Sequence, residues 1–277
     1  MHTCLNVYRH FAIRAVVAAT ALAAIPAAQG QLGLGLSPMR LDVRISPAAQ
    51  HSGVLSLSNS SPDKVRVRAE LLDFFIDATG TPQFERTVEG EKEYSCRTWL
   101  TLNPSEFEMK PGERMRIRYT VRVPETATAR SYHCGAGFTT VPVVTQSAET
   151  GLQTAVRVVA AFYAIIGNPG IEASFKDMIL EYTPEIQDSR WRAVVLLENY
   201  GYMHFRPVGS LDVLDAAGKV VESAVFRPLP VLPKRTQRFL FPLKLSQGKY
   251  TLRARVDLGT REIQEVITSV EARPDRK

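Results

Sequence analysis

Apolar and polar residues alternate at period two along most of this chain, and the alternation predicts strands. In "ERMRIRYTVRVP", residues 113–124, Arg114, Arg116, Arg118 and Arg122 fall on one side and Met115, Ile117, Tyr119, Val121 and Val123 on the other. Successive side chains of a strand point to opposite faces, so this stretch reads as a strand with one face in a core and a cationic face in water. "DKVRVRAELLDFFID", residues 63–77, repeats the pattern: Val65, Val67, Ala69 and Leu71 oppose Lys64, Arg66, Arg68 and Glu70. Further strands are expected in residues 37–45, 52–61, 96–109 (broken at Asn103-Pro104), 129–144 and 154–166. "ATGTP" and "KPGE" supply turns, and "GLGLSP" reads as a flexible entry to the first strand. Seven or eight short strands with no long segment of helical period predict a β-sandwich.

"GNPG", residues 167–170, places three punctuating residues after an apolar strand and marks a domain boundary. Beyond it the alternation restarts in residues 190–201, 209–221, 235–245, 248–259 and 261–272. The predicted fold is all-β: two tandem immunoglobulin-like β-sandwich domains, at residues 31–168 and 169–277, with essentially no helix. Residues 1–30 stand apart. They begin with a short basic stretch (Arg9, His10, Arg14), continue as an apolar run over residues 15–25, and end in Ala28-Gln29-Gly30. This reads as a secretory signal peptide cut near Gly30. The apolar run of about eleven residues is short of the roughly 30 Å needed to span a bilayer. The expected mature chain is soluble, exported and without a membrane span.

Composition agrees with a globular protein: 45% hydrophobic and 22% charged residues. Without the leader two cysteines remain, Cys96 and Cys134, and a pair in an exported protein is expected to be bridged. Lys and Arg number 34 against 28 Asp and Glu; removal of Arg9 and Arg14 leaves 32 against 28, a net of +4. That mild excess does not demand a nucleic acid, and no aromatics lie on the basic face as a nucleic-acid surface would need. Catalytic patterns are scarce. His51, His133 and His204 have neither metal-ligand spacing nor an acid close by in sequence, and no nucleophile elbow or phosphate loop appears. A binding protein is expected, with no enzyme activity, metal or cofactor.

The order of elements resembles a known family. An exported pair of sandwiches with Pro-x-Arg in the first strand ("SPMRLDV") is similar to the PapD-like periplasmic chaperones of pilus assembly. "SLSNSSPDKVRVRAELLDF" resembles that family's turn between two strands, and "WLTLNPSEFEMKPGE" its proline-containing strand and basic turn. "VPETATARSYHCGAGFTTVP" and "VRVVAAFYAIIGNP" are similar to the segments leading to its last first-domain strand and domain linker, and "LLENYGYMHFRPVGSLDVLDAAGK" and "LPKRTQRF" match in the second unit.

The resemblance implies a mechanism. Such chaperones bind an exported pilin-like subunit by lending it their last first-domain strand, and hand it to an outer-membrane usher. An Arg of the first strand and a Lys of the last hold the subunit's C-terminal carboxylate in the interdomain cleft. Arg40 matches the arginine. The lysine position is Ala160; the cation nearest to it is Arg157, which three residues away faces the other side unless a bulge intervenes. Leu152, Val156 and Val158 are the apolar residues of the lending segment, and Tyr163 belongs to its closing aromatic pair. A surface adhesion module built from the same domains is the alternative reading.

Overall fold

The computed structural model describes residues 33–141 and 155–274, and in both stretches period-two alternation becomes strand. The expected leader and Leu152 lie outside the described residues. The first sandwich contains β1 (Leu34–Ser37), β2 (Arg40–Arg44), β3 (Gln50–Asn59), β4 (Val65–Ile76) and β5 (Pro82–Glu85). It continues with β6 (Leu100–Asn103), β7 (Glu106–Met109), β8 (Arg114–Arg122), β9 (Ser131–Val141) and β10 (Arg157–Ile165). One sheet runs β1-β3-β8-β6; the other runs β2-β10-β9-β4-β5, with β7 also on β4.

Prolines set the breaks. Pro38 separates β1 from β2, and Pro104 separates β6 from β7. Proline brings no N–H to a ladder, so at each break pairing stops and the chain crosses to the opposite sheet. The segment expected to be a flexible entry, residues 33–38, is therefore largely ordered as β1, paired antiparallel with β3 from Leu34↔Asn59 to Ser37↔Ser56.

The core lies between the two sheets. Leu55, Leu57, Ile117 and Val121 meet Val67, Phe138, Ala160 and Phe162 there. Each fully buried aliphatic or Phe side chain contributes about 1.5–3 kcal/mol, which fixes the register of β8 and turns its arginines outward. Cys96 and Cys134 are bridged. Closing a loop of that size is worth about 4 kcal/mol in the chain-entropy model. Two 3-10 turns, Glu89–Tyr94 and Arg97–Trp99, interrupt a region where no helix was expected.

The second sandwich comprises β11 (Ala173–Tyr182), β12 (Trp191–Asn199), β13 (Val208–Leu214), β14 (Val220–Val225), β15 (Thr236–Leu243), β16 (Gly248–Asp257) and β17 (Gln264–Ala272). Its sheets are β11-β12-β15 and β14-β13-β16-β17, closed on a separate core around Val195, Leu197, Leu211, Phe239 and Phe241. β11 was not anticipated. Its register on β12 shifts between Phe175 and Asp177, and a bulge there reverses the phase that alternation needs to be visible.

One local device recurs in both sandwiches. Asn59 ends β3 fully buried, its Nδ2 donating to the carbonyls of Asp63 and Lys110 while its Oδ1 accepts from the Ser61 N–H. Asn199 ends β12 likewise, bound to the carbonyls of Met203 and Val231 and to the Gly201 N–H. An asparagine side chain offers two donors and an acceptor, so it satisfies turn groups that no ladder reaches.

Candidate functional site

The last strand of the first sandwich carries the site. β10 pairs antiparallel with β9 over its whole length, from Arg157↔Thr139 to Ile165↔Ser131, without a register shift. On its other side β2 runs parallel to it, but only from Ala161↔Arg40 to Ile165↔Arg44. Ala161 N–H donates to the Met39 carbonyl at 2.9 Å, so odd positions aim their backbone groups at the β2 side. Val156, of the other parity, accepts from Thr140 N–H toward β9. Val159 and Arg157 thus turn N–H and C=O groups to an edge that no described strand occupies.

Side chains follow the same alternation. Val158, Ala160, Phe162 and Ala164 look into the core; Arg157, Val159, Ala161 and Tyr163 lie on the outer face. Ala160, at the lysine position of the resemblance, is completely buried, and no cation fits there. Val158 packs on its own core instead of offering an apolar knob. Val156 precedes the strand, its N–H donating to Thr140 Oγ1 at 2.9 Å. No bulge brings Arg157 round. Its guanidinium donates to the Phe84 carbonyl at 3.4 Å, and it stands about 13 Å along the strand from the Arg40 row.

Arg40 opens β2 at the point where the free stretch of β10 ends, its side chain 56% exposed. Its Nε pairs with Asp42 at 3.0 Å. The other Asp42 oxygen accepts from His204 Nε2 at 3.1 Å, with Arg206 at 3.5 Å. Partial burial works to raise the Asp42 carboxyl, but the hydrogen bond from His204 and the nearby Arg206 and Arg40 outweigh it, and its pKa lies below the ordinary value. His204 is buried, and desolvation together with Arg206 lowers its pKa despite the Asp42 hydrogen bond, so its ring is neutral at pH 7.

Tyr163 is 3% exposed, stacked on His204 at 4.4 Å, under Arg206 at 4.5 Å and against Phe74. It was expected to meet a partner; instead the second sandwich seals it, and desolvation pushes its hydroxyl up to about 12. Phe74, Tyr163 and Leu232 form a small apolar seam between the two sandwiches. On its far side Glu91 accepts from His133 Nε2 at 3.0 Å and from Arg235 at 2.9 Å. Burial works to raise Glu91, and the His133 and Arg235 contacts overcome it, leaving its pKa lowered.

Sequence reading missed this joint. His133 and His204 had no acid near them in the chain, yet folding brings Glu91 and Asp42 to them across 42 and 162 residues. The joined charge types, one acid and one arginine around each histidine, were the available signal; their partners could not be paired without the topology. Among the described residues no group of three or more His, Cys, Asp or Glu side chains gathers to hold a metal ion, and no helix is long and apolar enough to cross a membrane.

No protein-family model matches the chain, and no curated protein matches it. Solved structures do. The class 5 fimbriae chaperone CfaA aligns over 86% of this chain and 98% of its own, at 11% identity and a TM-score of 0.46. The E. coli chaperone DraB aligns over 88% and 98%, at 14% identity and 0.43. The CsuC–CsuE chaperone–tip adhesion subunit complex of Acinetobacter baumannii aligns over 85% and 97%, at 10% and 0.43.

Proposed function

We propose that the protein is a periplasmic chaperone-type binder that captures an exported, pilin-like subunit by β-strand addition along residues 157–160 of β10. The observation that carries this reading is the truncated pairing of β2, which leaves the Arg157 and Val159 backbone groups without a strand partner among the described residues, in the stretch leading up to the Arg40 row. A strand added there gains main-chain hydrogen bonds in the direction the sheet already runs. Val159 and Ala161 give it small apolar neighbours on the outer face. Arg40, half in water and sharing only one carboxylate oxygen, is placed to take a chain-terminal carboxylate as the strand's end reaches β2.

Two variants test this in a pull-down of exported proteins from periplasmic extract. Val159→Pro removes an N–H that faces the open side and none from the β9 ladder, so the fold is kept and capture is lost. Arg40→Ala weakens capture by about 1.5–3 kcal/mol, the worth of a hydrogen bond to a charged group. Recovery of the same partners in equal amount by both variants and the unaltered protein would remove strand addition at this edge.

A further inference from the structure

The four-stranded sheet of the first sandwich turns a bare cationic face to solvent. Arg114, Arg116, Arg118 and Arg122 project from one face of β8 and are all exposed, the first three about 6.8 Å apart and Arg122 about twice that beyond Arg118 across Thr120, over roughly 27 Å. None reaches a carboxylate among the described residues; the one side-chain bond in the row is Arg122 Nε to Gln50 Oε1 at 3.1 Å. The strands β1, β3, β6 and β8 contain no Asp or Glu at all. The acid next to the row, Glu113, is turned back to accept from the Lys110 N–H. Between and beside the arginines stand hydroxyls: Ser52, Ser56, Ser58, Thr101 and Thr120.

Several arginines elsewhere on the molecule are paired with carboxylates. On β4, Arg66 pairs with Glu106 at 2.7 Å and Arg68 approaches the same carboxylate. Arg253 and Arg255 of the second sandwich have Asp212 and Glu265. Four uncompensated charges in a row repel one another and raise the local potential, a cost that an anionic partner removes.

The face also narrows the partner. It has no exposed aromatic, and Val54 is its single exposed large apolar side chain, so it offers neither stacking platforms for bases nor the buried anchors of a protein interface. A flat, rigid, hydroxyl-flanked row of guanidinium groups suits a plane of phosphates, each of which takes a bidentate Arg. The Cys96–Cys134 bridge marks an oxidising compartment, where phospholipid leaflets supply such a plane. From these observations we infer that the β8 face docks the protein on the headgroups of an anionic phospholipid surface, by charge and without insertion. Because the joint and the open β10 edge belong to the other sheet, docking leaves both uncovered, and the inference does not rest on strand addition.

Vesicle co-sedimentation tests it. The protein pellets with vesicles of phosphatidylcholine mixed with phosphatidylglycerol at low salt, stays in solution with phosphatidylcholine alone, and is released as salt shortens the screening length from about 10 Å at 0.1 M to about 3 Å at 1 M. Each arginine taken from the row lowers partitioning about five-fold, so Arg116→Gln with Arg118→Gln lowers it about 25-fold. Arg66→Gln with Arg68→Gln changes net charge equally and leaves partitioning within about two-fold of the unaltered protein, since those two arginines stand on the other sheet, away from the docked face, and share Glu106. All four positions are exposed, and unchanged thermal unfolding confirms that both doubles fold. Equal losses from the two doubles, equal binding to phosphatidylcholine, or no vesicle binding while an acidic protein is retained by the β8 row would each overturn the inference.

Discussion

Both outer faces of the first sandwich carry arginines at alternate strand positions, and only one of them supplies those arginines with carboxylates. On the six-stranded side, β7 lays Glu106 beside Arg66 and Arg68, and the lower half of the face is closed by the second sandwich. On the four-stranded side, β8 presents four arginines that reach no carboxylate among the described residues. The same alternation serves two purposes. Where a neighbouring strand brings acids, an arginine completes a local network; where none does, it stays available to something outside the chain. Exposed ion pairs are worth little to stability, about 0–1 kcal/mol each, so the difference between the faces is one of recognition rather than folding.

The largest test of the closed face removes its centre. Phe74 is 1% exposed and touches Tyr163, His133 and Phe84, so Phe74→Ala lowers stability by about 3–5 kcal/mol, the usual range for a buried phenyl group, and loosens the joint as well as the sheet. Thermal unfolding and limited proteolysis near residues 166–173 read the two effects. An unchanged melting temperature would mean that the seam is not packed as described.

Acid is the next lever, and its sign is the same for each group. Asp42 and Glu91 have folded pKa values below their ordinary ones, so their contribution is present above the ordinary carboxylate pKa and is lost as pH falls through the folded values. His204 is also lowered, from 6.5; the unfolded chain takes up that proton first, and stability declines as pH drops below about 6.5. A protonated His204 would also carry an Nδ1–H with no acceptor among the described residues. Melting temperature is expected to fall from pH 7 toward pH 4, and Glu91→Gln to flatten the most acidic part of that decline. Arg116 touches none of these groups, so Arg116→Gln leaves the profile unshifted.

The smallest expected effect sharpens the comparison most. Arg66→Ala costs about 0–1 kcal/mol through its pair with Glu106, whereas Arg116→Ala changes stability by no more than about 0.5 kcal/mol in either direction. Chemical denaturation of the two variants side by side resolves the difference. A loss at Arg116 larger than at Arg66 would show that the open face is built for folding.

Most of the fold was legible because burial on one face writes its period into the chain. β3, β4, β8, β9, β12 and β16 follow from alternation, and the Asn103-Pro104 and "GNPG" breaks from proline and glycine chemistry. β1 has only four residues with two glycine-flanked apolar ones, too few for a period to register, and the bulge in β11 breaks its own phase. At the candidate site, Arg40 came from the Pro-x-Arg resemblance and from no periodic trace. Glu91 sits in a 3-10 turn that leaves no periodic trace, and the pairing of His204 with Asp42 depends on how two domains meet. Which arginines are neutralised was equally hidden, since lateral pairing of β7 on β4 decides it.

The parallel pairing of β2 with β10 also sets an order of events. β2 is made early in synthesis, and its partner is the last strand of the same sandwich, so the contact closes a loop of nearly the whole domain. Contacts of such long sequence separation form late, after the entropy of closure has been met by nearer pairings such as β3 with β8 and β9 with β10. Until β2 arrives, β10 shows an open edge over its full length and not only over residues 157–160. A newly made molecule therefore passes through a stage in which it is itself prone to edge-to-edge association. The arrival time of one five-residue strand governs how long that stage lasts.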